Sequence, residues 1–281
     1  RRDNLYKLIA LDLDGTLLTD DKKITKENLD IINKLIDKGF EIVIATGRSY
    51  YSARVITNNI NKHLIYICNN GNIVRDAIDD RVISTTFLNS EDSKIVLQEG
   101  IKRELYPFIH VDYFQEGYDI LVGNNLNYKK RKYTREPNFI SRTKIIGDKL
   151  EENLDRVLSI VYPGELDILL DFDLSIKDLY PNKFNSHVME NSIQAEALLE
   201  VMNPVGTKWN SLIKYANSIG IQANEIIAIG DNNNDIEMVI NAGLGIAMKN
   251  GSKLAKEIAD IVSEKDNNES GIAFELKKIL K

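Results

Sequence analysis

The first part of the chain alternates between continuous apolar runs and stretches of helical periodicity. The runs are KLIALDL, FEIVIA and HLIYIC. Between the first two, apolar residues from Leu29 to Ile36 recur at helical spacing, and Thr25 and Gly39 can cap and end that helix. Strands that are apolar throughout are buried on both faces, as in a parallel sheet with crossover helices. The alternation predicts an α/β fold with a doubly wound, mostly parallel sheet and a Rossmann-like core.

The pattern changes in the middle of the chain, where strand-like segments look half-exposed and charge density rises. Residues 89–105 and 147–162 are predicted as helices, 107–115 and 118–123 as a strand pair, and 175–179 as a short helix. The α/β alternation returns after residue 190, with EALLEVMNP predicted as its first strand. We therefore predict a core domain in two parts, residues 1–83 and 190–281, interrupted by an inserted α+β domain of residues 84–189.

The composition argues against several classes of protein. The 281 residues carry a formal net charge of −6, which does not suit a scaffold that holds nucleic acid through its phosphates. Cys68 is the single cysteine, so disulfides and cysteine-based zinc sites are ruled out, and a reducing cytoplasm is the simpler location. The apolar runs are too short for a membrane span, and the start makes a poor signal peptide. We expect a cytoplasmic protein without nucleic-acid or membrane partners.

Polar side chains collect where the predicted parallel strands end or a helix begins. In chain order the candidate site residues are Asp12, Asp14, Thr46, Gly47, Arg48, Lys208, Asp231, Asn234 and Asp235. The carboxyl ends of parallel strands meet at one edge of an open sheet, where ligands bind. These residues should therefore converge on one crevice.

Carboxylates from two strands, without nitrogen or sulfur ligands, suit a hard cation. We expect Mg²⁺, which binds one or two carboxylates together with phosphate oxygens. A lysine and a hydroxyl beside it would hold a phosphoryl group and neutralise its charge. Asp12, against the metal, is the expected nucleophile that forms an aspartyl phosphate, and Asp14 the expected acid and base. We interpret His63, His110 and His187 as structural or surface residues.

A calcium-binding loop is an alternative explanation for the first motif. Asp12, Asp14 and Gly15 match the alternating carboxylates and glycine with which such a loop opens. The loop would have to end in a glutamate, and the residue at that position is Lys23, which rejects this interpretation. The turn GDNNND taken alone is equally compatible with a plain turn at a strand end. Together and in order, the motifs favour a site for phosphoryl transfer.

Four segments resemble the motifs of the haloacid dehalogenase-like hydrolases: ALDLDGTLL, IATGR, NPVGTKW and AIGDNNNDIEM. More narrowly, the chain is similar to the Cof-type sugar-phosphatase subfamily with its type IIB α/β cap. The late run GLGIAMKNGSKLAKEIADIVS, followed by NNESGIA, also resembles that subfamily's C-terminal signature. The resemblance spans nearly the whole chain, closely in the sheet domain and only in size and texture in the inserted domain.

The resemblance implies a metal-binding side of the site. Asp12 would be both nucleophile and metal ligand. Asp14 would be the acid and base, and its backbone carbonyl would also contact Mg²⁺. Asp231 would bind Mg²⁺, and Asp235 would support the metal site without binding the ion.

The resemblance also implies a phosphate-binding side. Thr46, in the segment with Gly47, would donate a hydrogen bond to the phosphoryl group, which Asn234 would also contact. Lys208 would neutralise the phosphoryl group and orient Asp12. Arg48 would reach the substrate or the hinge of the inserted domain, and a surface salt bridge is an equally good explanation for it.

Three further features have open roles. Asn70 is a candidate polar contact beside the site. Trp209 stands where the family usually has a small residue, and we expect it to pack beneath its helix, the alternative being that it narrows the entrance. The basic stretch from Lys129 to Arg135 is either a solvated loop or a contribution to anion attraction.

The sequence therefore predicts a Mg²⁺-dependent phosphatase that acts on a small phosphorylated metabolite through an aspartyl phosphate. The resemblance implies that the inserted domain closes over the substrate. Sugar phosphates are the first expected substrates, and flavin-type or other phosphorylated metabolites the second. Two alternatives remain. One is a phosphomutase of the same superfamily, and the other a non-enzymatic receiver-like signalling module phosphorylated on aspartate, which the cap-sized insertion argues against.

Overall fold

The computed structural model describes residues 5–60, 62–124, 139–147, 150–152, 154–189 and 197–280. The chain divides into two compact units. One unit consists of the chain up to Thr85 and from Thr207 onward, and we call it the core unit. The other runs from Thr86 to Gly206, and we call it the inserted unit.

The described residues form fourteen strands and eight α-helices. The strands are β1 Leu8–Leu11, β2 Glu41–Ala45, β3 Ile65–Cys68, β4 Ile73–Asp76, β5 Val82–Thr85, β6 Phe108–Tyr113, β7 Tyr118–Val122, β8 Thr143–Ile145, β9 Val157–Gly164, β10 Asn185–Met189, β11 Ala197–Met202, β12 Ile226–Gly230, β13 Leu244–Ala247 and β14 Ile261–Val262. The helices are α1 Lys26–Asp37, α2 Tyr50–Ile56, α3 Ser90–Ile101, α4 Leu166–Leu179, α5 Lys208–Ser218, α6 Ile236–Asn241, α7 Lys253–Ile258 and α8 Gly271–Ile279.

The core unit contains an eight-stranded sheet in the order β14-β13-β12-β1-β2-β3-β4-β5. The pairs from β14 to β3 are parallel, and only the β3–β4 and β4–β5 pairs are antiparallel. Leu8 and Ala10 pack with Leu212 of α5 and Met238 of α6 in one apolar cluster. Successive side chains of a strand point to opposite faces, so Ile9 contributes to the other face. The predicted doubly wound, mostly parallel sheet is confirmed.

The strand β1 lies near the centre of this sheet, between β12 and β2. All four of its residues are buried, as its continuous apolar sequence predicts for a strand covered on both faces. Asp12 extends the pairing by one residue, because its backbone N–H donates to the carbonyl of Ile229 at 3.0 Å. The end of the most central strand is therefore a rigid place from which to present a side chain.

The inserted unit contains a six-stranded sheet in the order β10-β11-β9-β6-β7-β8. The helices α3 and α4 supply Val96, Leu169 and Phe172 to a cluster that also contains Ile160 and Leu199 of the sheet. The predicted helix at 89–105 is observed as α3, and the predicted strand pair as the antiparallel β6 and β7. The short helix predicted at 175–179 is the last part of the longer α4.

The predicted helix at residues 147–162 is wrong. Its second half is β9, and Leu150–Glu152 forms only a short 3-10 turn. The strand β9 lies inside the sheet, between β11 and β6, and seven of its eight residues are buried. A strand covered on both faces loses its alternation, so periodicity alone does not distinguish it from a buried helix.

The predicted start of the second core segment, at residue 190, is also wrong. The strand β11 pairs antiparallel with β9 and β10, and the core unit resumes only at Thr207. Because β11 has neighbours on both edges and is largely buried, its run ALLEVM resembles a central parallel strand. The structure places the first boundary between Thr85 and Thr86, beside the predicted boundary at residue 83. No helix in the described ranges has the length and hydropathy needed to span a membrane.

Candidate active site

Lys208 is the cation of the predicted site, and it is 1% exposed. It is the first residue of α5, whose N-cap Thr207 accepts a hydrogen bond from the backbone N–H of Asn210. The helix approaches the end of β3 closely, since a Cβ on Gly71 would lie 2.1 Å from the carbonyl oxygen of Thr207. Capping and this close approach fix where the side chain of Lys208 begins.

The ammonium of Lys208 joins the ends of two strands. Its Nζ donates to Oδ1 of Asp12 at 2.7 Å and to Oδ1 of Asp235 at 2.7 Å. Burial opposes the charge, but the carboxylates of Asp12 and Asp235 hold the pKa of Lys208 above its ordinary value. Lys208 therefore stays an ammonium and fixes the orientation of the Asp12 carboxylate.

Asp235 organises the loop that follows β12. Its Oδ2 accepts the backbone N–H groups of Asp231 at 3.0 Å and of Asn232 at 3.1 Å. With Lys208 on its other oxygen, the buried carboxylate has three donors. Asp231 lies against the loop that follows β1, where its Oδ1 accepts the hydroxyl of Thr16 at 3.0 Å. Asp235 is thus occupied in holding the loop, whereas Asp231 faces Asp12.

The donor set fits a hard divalent cation. One carboxylate oxygen from each of Asp12, Asp231 and Asp235 lies within 4.8 Å of the others. Since three donors already occupy Asp235, Asp12 and Asp231 are the carboxylates with capacity to bind an ion. Burial, and next the negative charge of Asp235, raise the pKa of Asp12 well above its ordinary value and that of Asp231 to about 6. Three carboxylates around one ammonium leave negative charge that a divalent cation would compensate.

Asp14 leaves the same strand end but has different partners. Arg48 binds it through both carboxylate oxygens, with Nε to Oδ2 at 2.6 Å and a terminal nitrogen to Oδ1 at 2.8 Å. Lys22 adds a contact from Nζ to Oδ1 at 2.6 Å. Burial opposes ionisation, but the hydrogen bonds and charges of Arg48 and Lys22 lower the pKa of Asp14 to about 2. The sequence-based expectation that Asp14 holds a proton differs from this arrangement, in which two cations keep it ionised.

Arg48 lies inside the candidate site and its guanidinium is largely buried. A further N–H of the guanidinium donates to the hydroxyl of Ser52 at 3.0 Å, and its backbone N–H donates to Oγ1 of Thr46 at 3.1 Å. The surface salt bridge considered for Arg48 is therefore replaced by a two-point ion pair with Asp14. The hydroxyl of Thr46, an acceptor here, keeps its own proton for a further partner.

Asn70 and Asn234 form the remaining side of the site. The amide nitrogen of Asn234 donates to Oδ1 of Asn70 at 2.9 Å, and Gly47 lies directly beside the Asn70 amide. Asn70 has a positive φ of 54° in the turn after β3, and its backbone N–H donates to the carbonyl of Thr46. The structure thus brings all nine predicted site residues to the ends of β1, β2 and β12 and the start of α5.

The structure places two of the remaining features, Trp209 and His63, outside the candidate site. Trp209 is partly buried and packs against the core cluster, in agreement with the packing role expected for it. Of the histidines, His63 pairs with Asp76 at 2.9 Å in the core unit, away from the nine site residues. The basic stretch from residue 129 to 135 lies outside the described residues.

The sequence did not reveal one residue of the site, Lys22. It has a positive φ of 59° in the loop after β1, which turns its side chain back to Asp14. A single lysine in the charged stretch TDDKK carries no motif, so only the loop conformation could have identified it.

The chain belongs to the haloacid dehalogenase-like hydrolases, because the family model with that description matches residues 9–276. The resemblance inferred from the four motifs is confirmed. Among relatives in Bacillus subtilis, the chain is 26% identical to the 5-amino-6-(5-phospho-D-ribitylamino)uracil phosphatase YwtE, over 98% of each chain. It is 29% identical to the phosphatase YitU, which has the same full name, over 96% of each.

Solved structures share the fold. A haloacid dehalogenase-like hydrolase from Bacteroides thetaiotaomicron superposes with a TM-score of 0.81 at 24% identity, covering 98% of this chain and 99% of that one. A HAD/COF-like hydrolase from Plasmodium vivax superposes with a TM-score of 0.82 at 22% identity, covering 99% and 97%. At these identities the similarity shows the fold alone.

Proposed function

We propose that this protein is a Mg²⁺-dependent phosphatase that hydrolyses small phosphomonoesters through an aspartyl phosphate on Asp12. The observation that carries the proposal is the buried contact of Lys208 with Asp12 and Asp235 at the end of β1. Lys208 contacts only Oδ1 of Asp12, so the other carboxylate oxygen is not bound by the lysine. The family and the phosphatases related to the chain support the same reaction class.

In the first half-reaction, the oxygen of Asp12 that does not contact Lys208 attacks phosphorus. The bond from phosphorus to the ester oxygen breaks, and the departing alkoxide takes the proton of Asp14. Lys208, the hydroxyl of Thr46 and the amide of Asn234 donate to the phosphoryl oxygens, where negative charge develops. In the second half-reaction, Asp14 takes a proton from water, which attacks phosphorus and releases Asp12.

The acid role requires Asp14 to change partners. Arg48 and Lys22 bind it in the present arrangement and keep it ionised. A phosphate dianion would attract both cations, and their departure from the carboxylate would allow it to take up the proton it must donate. Arg48 and Lys22 are therefore expected to bind substrate at the same time as they release the acid.

Asp12 and Asp231 would hold Mg²⁺, together with the backbone carbonyl of Asp14. When bound, the ion would polarise the phosphoryl group and compensate negative charge. Asp235 contributes by holding the loop that carries Asp231 and by binding Lys208. The all-oxygen donor set is the one that Mg²⁺ prefers.

For the substrate class, we propose phosphorylated sugars and related small metabolites. Relatives YwtE and YitU are named for a phosphorylated ribityl compound, whose phosphate is esterified to a polyol chain. A panel of phosphorylated metabolites should therefore include hexose phosphates, pentitol phosphates and that compound. Free phosphate supports the phosphatase, whereas an isomerised sugar phosphate would indicate a phosphomutase.

The test is phosphate release by wild type and by Asp12→Asn with and without Mg²⁺. We expect Asp12→Asn to abolish turnover, because an amide oxygen does not replace the carboxylate nucleophile. Asp37→Asn is a matched control, since Asp37 is an exposed aspartate at the end of α1 that forms an ion pair with Lys62. Full activity in Asp12→Asn, or equal activity with a chelator present, contradicts the proposal.

A further inference from the structure

The loop between β1 and α1 carries Asp14, and it is held by residues far along the chain. The amide nitrogen of Asn250 donates to the carbonyl of Gly15 at 2.8 Å. The amide nitrogen of Asn267 donates to the carbonyl of Leu18 at 2.9 Å and to Oδ1 of Asp20 at 3.1 Å. The two asparagines are also joined, because the backbone N–H of Asn267 donates to Oδ1 of Asn250 at 3.2 Å.

Asn267 is held in place by burial and by the capping of a short helix. Asn267 is 2% exposed and begins the short 3-10 helix Asn267–Glu269. The side chain of Asp266 caps this helix by accepting the backbone N–H groups of Asn268 and Glu269. An uncharged amide can donate both of its N–H groups to two acceptors at once, which a carboxylate of the same shape cannot do.

Asn250 is linked to the candidate active site through Gly15. Gly15 has a φ of +81°, and a Cβ added there would lie 2.4 Å from Oδ2 of Asp231. The next residue, Thr16, donates its hydroxyl to Asp231. A movement of the Gly15 carbonyl would therefore change how Gly15 and Thr16 lie against Asp231, and with them the position of the neighbouring Asp14.

The segment that contains Asn250 also holds the opposite side of the site. The backbone N–H of Ser252 donates to the carbonyl of Asp231 at 2.7 Å. One short segment after β13 thus fixes Gly15 through Asn250 and fixes Asp231 through Ser252. Outer hydrogen bonds of this kind orient the groups that bind a metal ion or a substrate.

We propose that Asn250 and Asn267 are positioning residues that hold the loop carrying Asp14 at a fixed position relative to Asp231. Neither side chain contacts Asp12, Lys208 or Asp231 in the described residues, and both act through the backbone carbonyls of Gly15 and Leu18. The inference rests on the proposed function, in which Asp14 must reach the leaving oxygen while Asp12 attacks. It assigns a role to the NNESGIA segment that the motifs around Asp12 and Asp231 do not supply.

The first experiment compares Asn250→Ala and Asn267→Ala with wild type, using glucose 6-phosphate and Mg²⁺ at a temperature where all are folded. The alcohol of this substrate needs the proton of Asp14 to leave, so its turnover reports the position of Asp14. We expect kcat to fall by about 10- to 100-fold, the size seen when supporting hydrogen bonds of catalytic groups are removed. KM should change by less than about threefold, because binding groups remain. Asn241→Ala is the control, since Asn241 donates only to a carbonyl of its own helix at 2.7 Å and should retain wild-type kcat.

Hydrogen exchange supplies a readout independent of turnover. The N–H groups of Leu17 and Leu18 donate to the carbonyls of Asp12 and Leu13 within the same loop. In both alanine variants these amides should exchange about tenfold faster, while amides of α5 keep their wild-type rates. Unchanged exchange of Leu17 and Leu18 overturns the proposal, even where wild type releases no phosphate and the proposed function itself has failed.

A charge exchange separates positioning from simple stability. Asn267→Asp places a carboxylate against Asp20 and the Leu18 carbonyl, and Asp20→Asn in the same chain restores a side-chain pair. We expect the double variant to regain part of the lost Tm but not the lost kcat, because the Leu18 carbonyl still has no donor. Recovery of kcat together with Tm would show a purely structural role. Should Asn267 variants fail to fold, the exposed Asn250 decides the question alone.

Discussion

Asp12 and Asp14 leave the same strand, yet their surroundings are opposite. Asp12 and Asp235 are buried around the ammonium of Lys208, beside the partly buried Asp231, and the pKa of Asp12 is raised by burial and by negative neighbours. The side chain of Asp14 is 38% exposed and meets two cations, which lower its pKa to about 2 against the effect of burial.

Two carboxylates that are neighbours in the sequence can therefore lie in clusters of opposite net charge. The cluster around Asp12 has too little positive charge, so it should gain from a divalent cation. The cluster around Asp14 has positive charge in excess, so it should gain from an anion. A phosphate ester with Mg²⁺ satisfies both requirements at once.

Removing the ammonium of Lys208 should break the Asp12 cluster most severely. Lys208→Met keeps the length of the side chain but leaves two buried carboxylates without their cation. We expect the free energy of unfolding to fall by about 3–5 kcal/mol in urea with a chelator present. Lys214→Met is the matched control, because Lys214 lies on the exposed face of the same helix and should cost little. A Lys208→Met protein as stable as wild type would contradict the structural role of this contact.

Replacing Asp14 should reveal its role through the leaving group. Asp14→Asn cannot donate the proton, so kcat should fall by about 10²–10⁴-fold for a sugar phosphate, whose alcohol leaves poorly. The loss should be much smaller for p-nitrophenyl phosphate, since its phenolate leaves without a proton. Equal losses on both substrates would argue for a role of Asp14 in binding instead.

The same contrast explains what the sequence could predict. Polar residues directly after buried parallel strands must lie at one sheet edge, which is why the sequence alone predicts that Asp12, Thr46 and Asp231 lie together. The predictions of a helix at β9 and of a core-domain strand at β11 are wrong, because burial on both faces removes the alternation by which a strand of an antiparallel sheet is recognised.

Contacts between residues that are far apart in the sequence are the second kind of feature that the sequence does not predict. Asn250 and Gly15 are separated by 235 positions, and nothing in either segment alone indicates that they meet. Lys22 contacts Asp14 because its own backbone has a left-handed conformation, and a lysine in the sequence does not indicate that conformation. Local patterns therefore predict the candidate site residues, whereas the contacts that hold those residues in place depend on the tertiary structure.

Adding Mg²⁺ should stabilise the protein through the Asp12 cluster. At about 100 times its dissociation constant, a ligand that binds only the folded state contributes about 2.7 kcal/mol to the free energy of unfolding. We expect such a gain in urea unfolding when Mg²⁺ replaces the chelator. Asp231→Asn should lose most of the gain, whereas Asp14→Asn should keep it, because Asp14 supplies only its backbone. A gain that survives in Asp231→Asn would place the ion elsewhere.

The smallest expected effect is the pH dependence of the Asp14 ion pair without Mg²⁺. Its pKa falls from the ordinary 3.8 to about 2 in the folded state, so its ionised form favours folding. The stabilisation is complete above the unfolded pKa and is lost as pH falls through about 2. Because the side chain is partly exposed, solvent limits the effect to about 1 kcal/mol. Wild type should exceed Asp14→Asn in stability by this amount at pH 6, with the difference shrinking between pH 4 and 2. A difference that stays constant with pH would mean that Asp14 stabilises the loop through its shape rather than its charge.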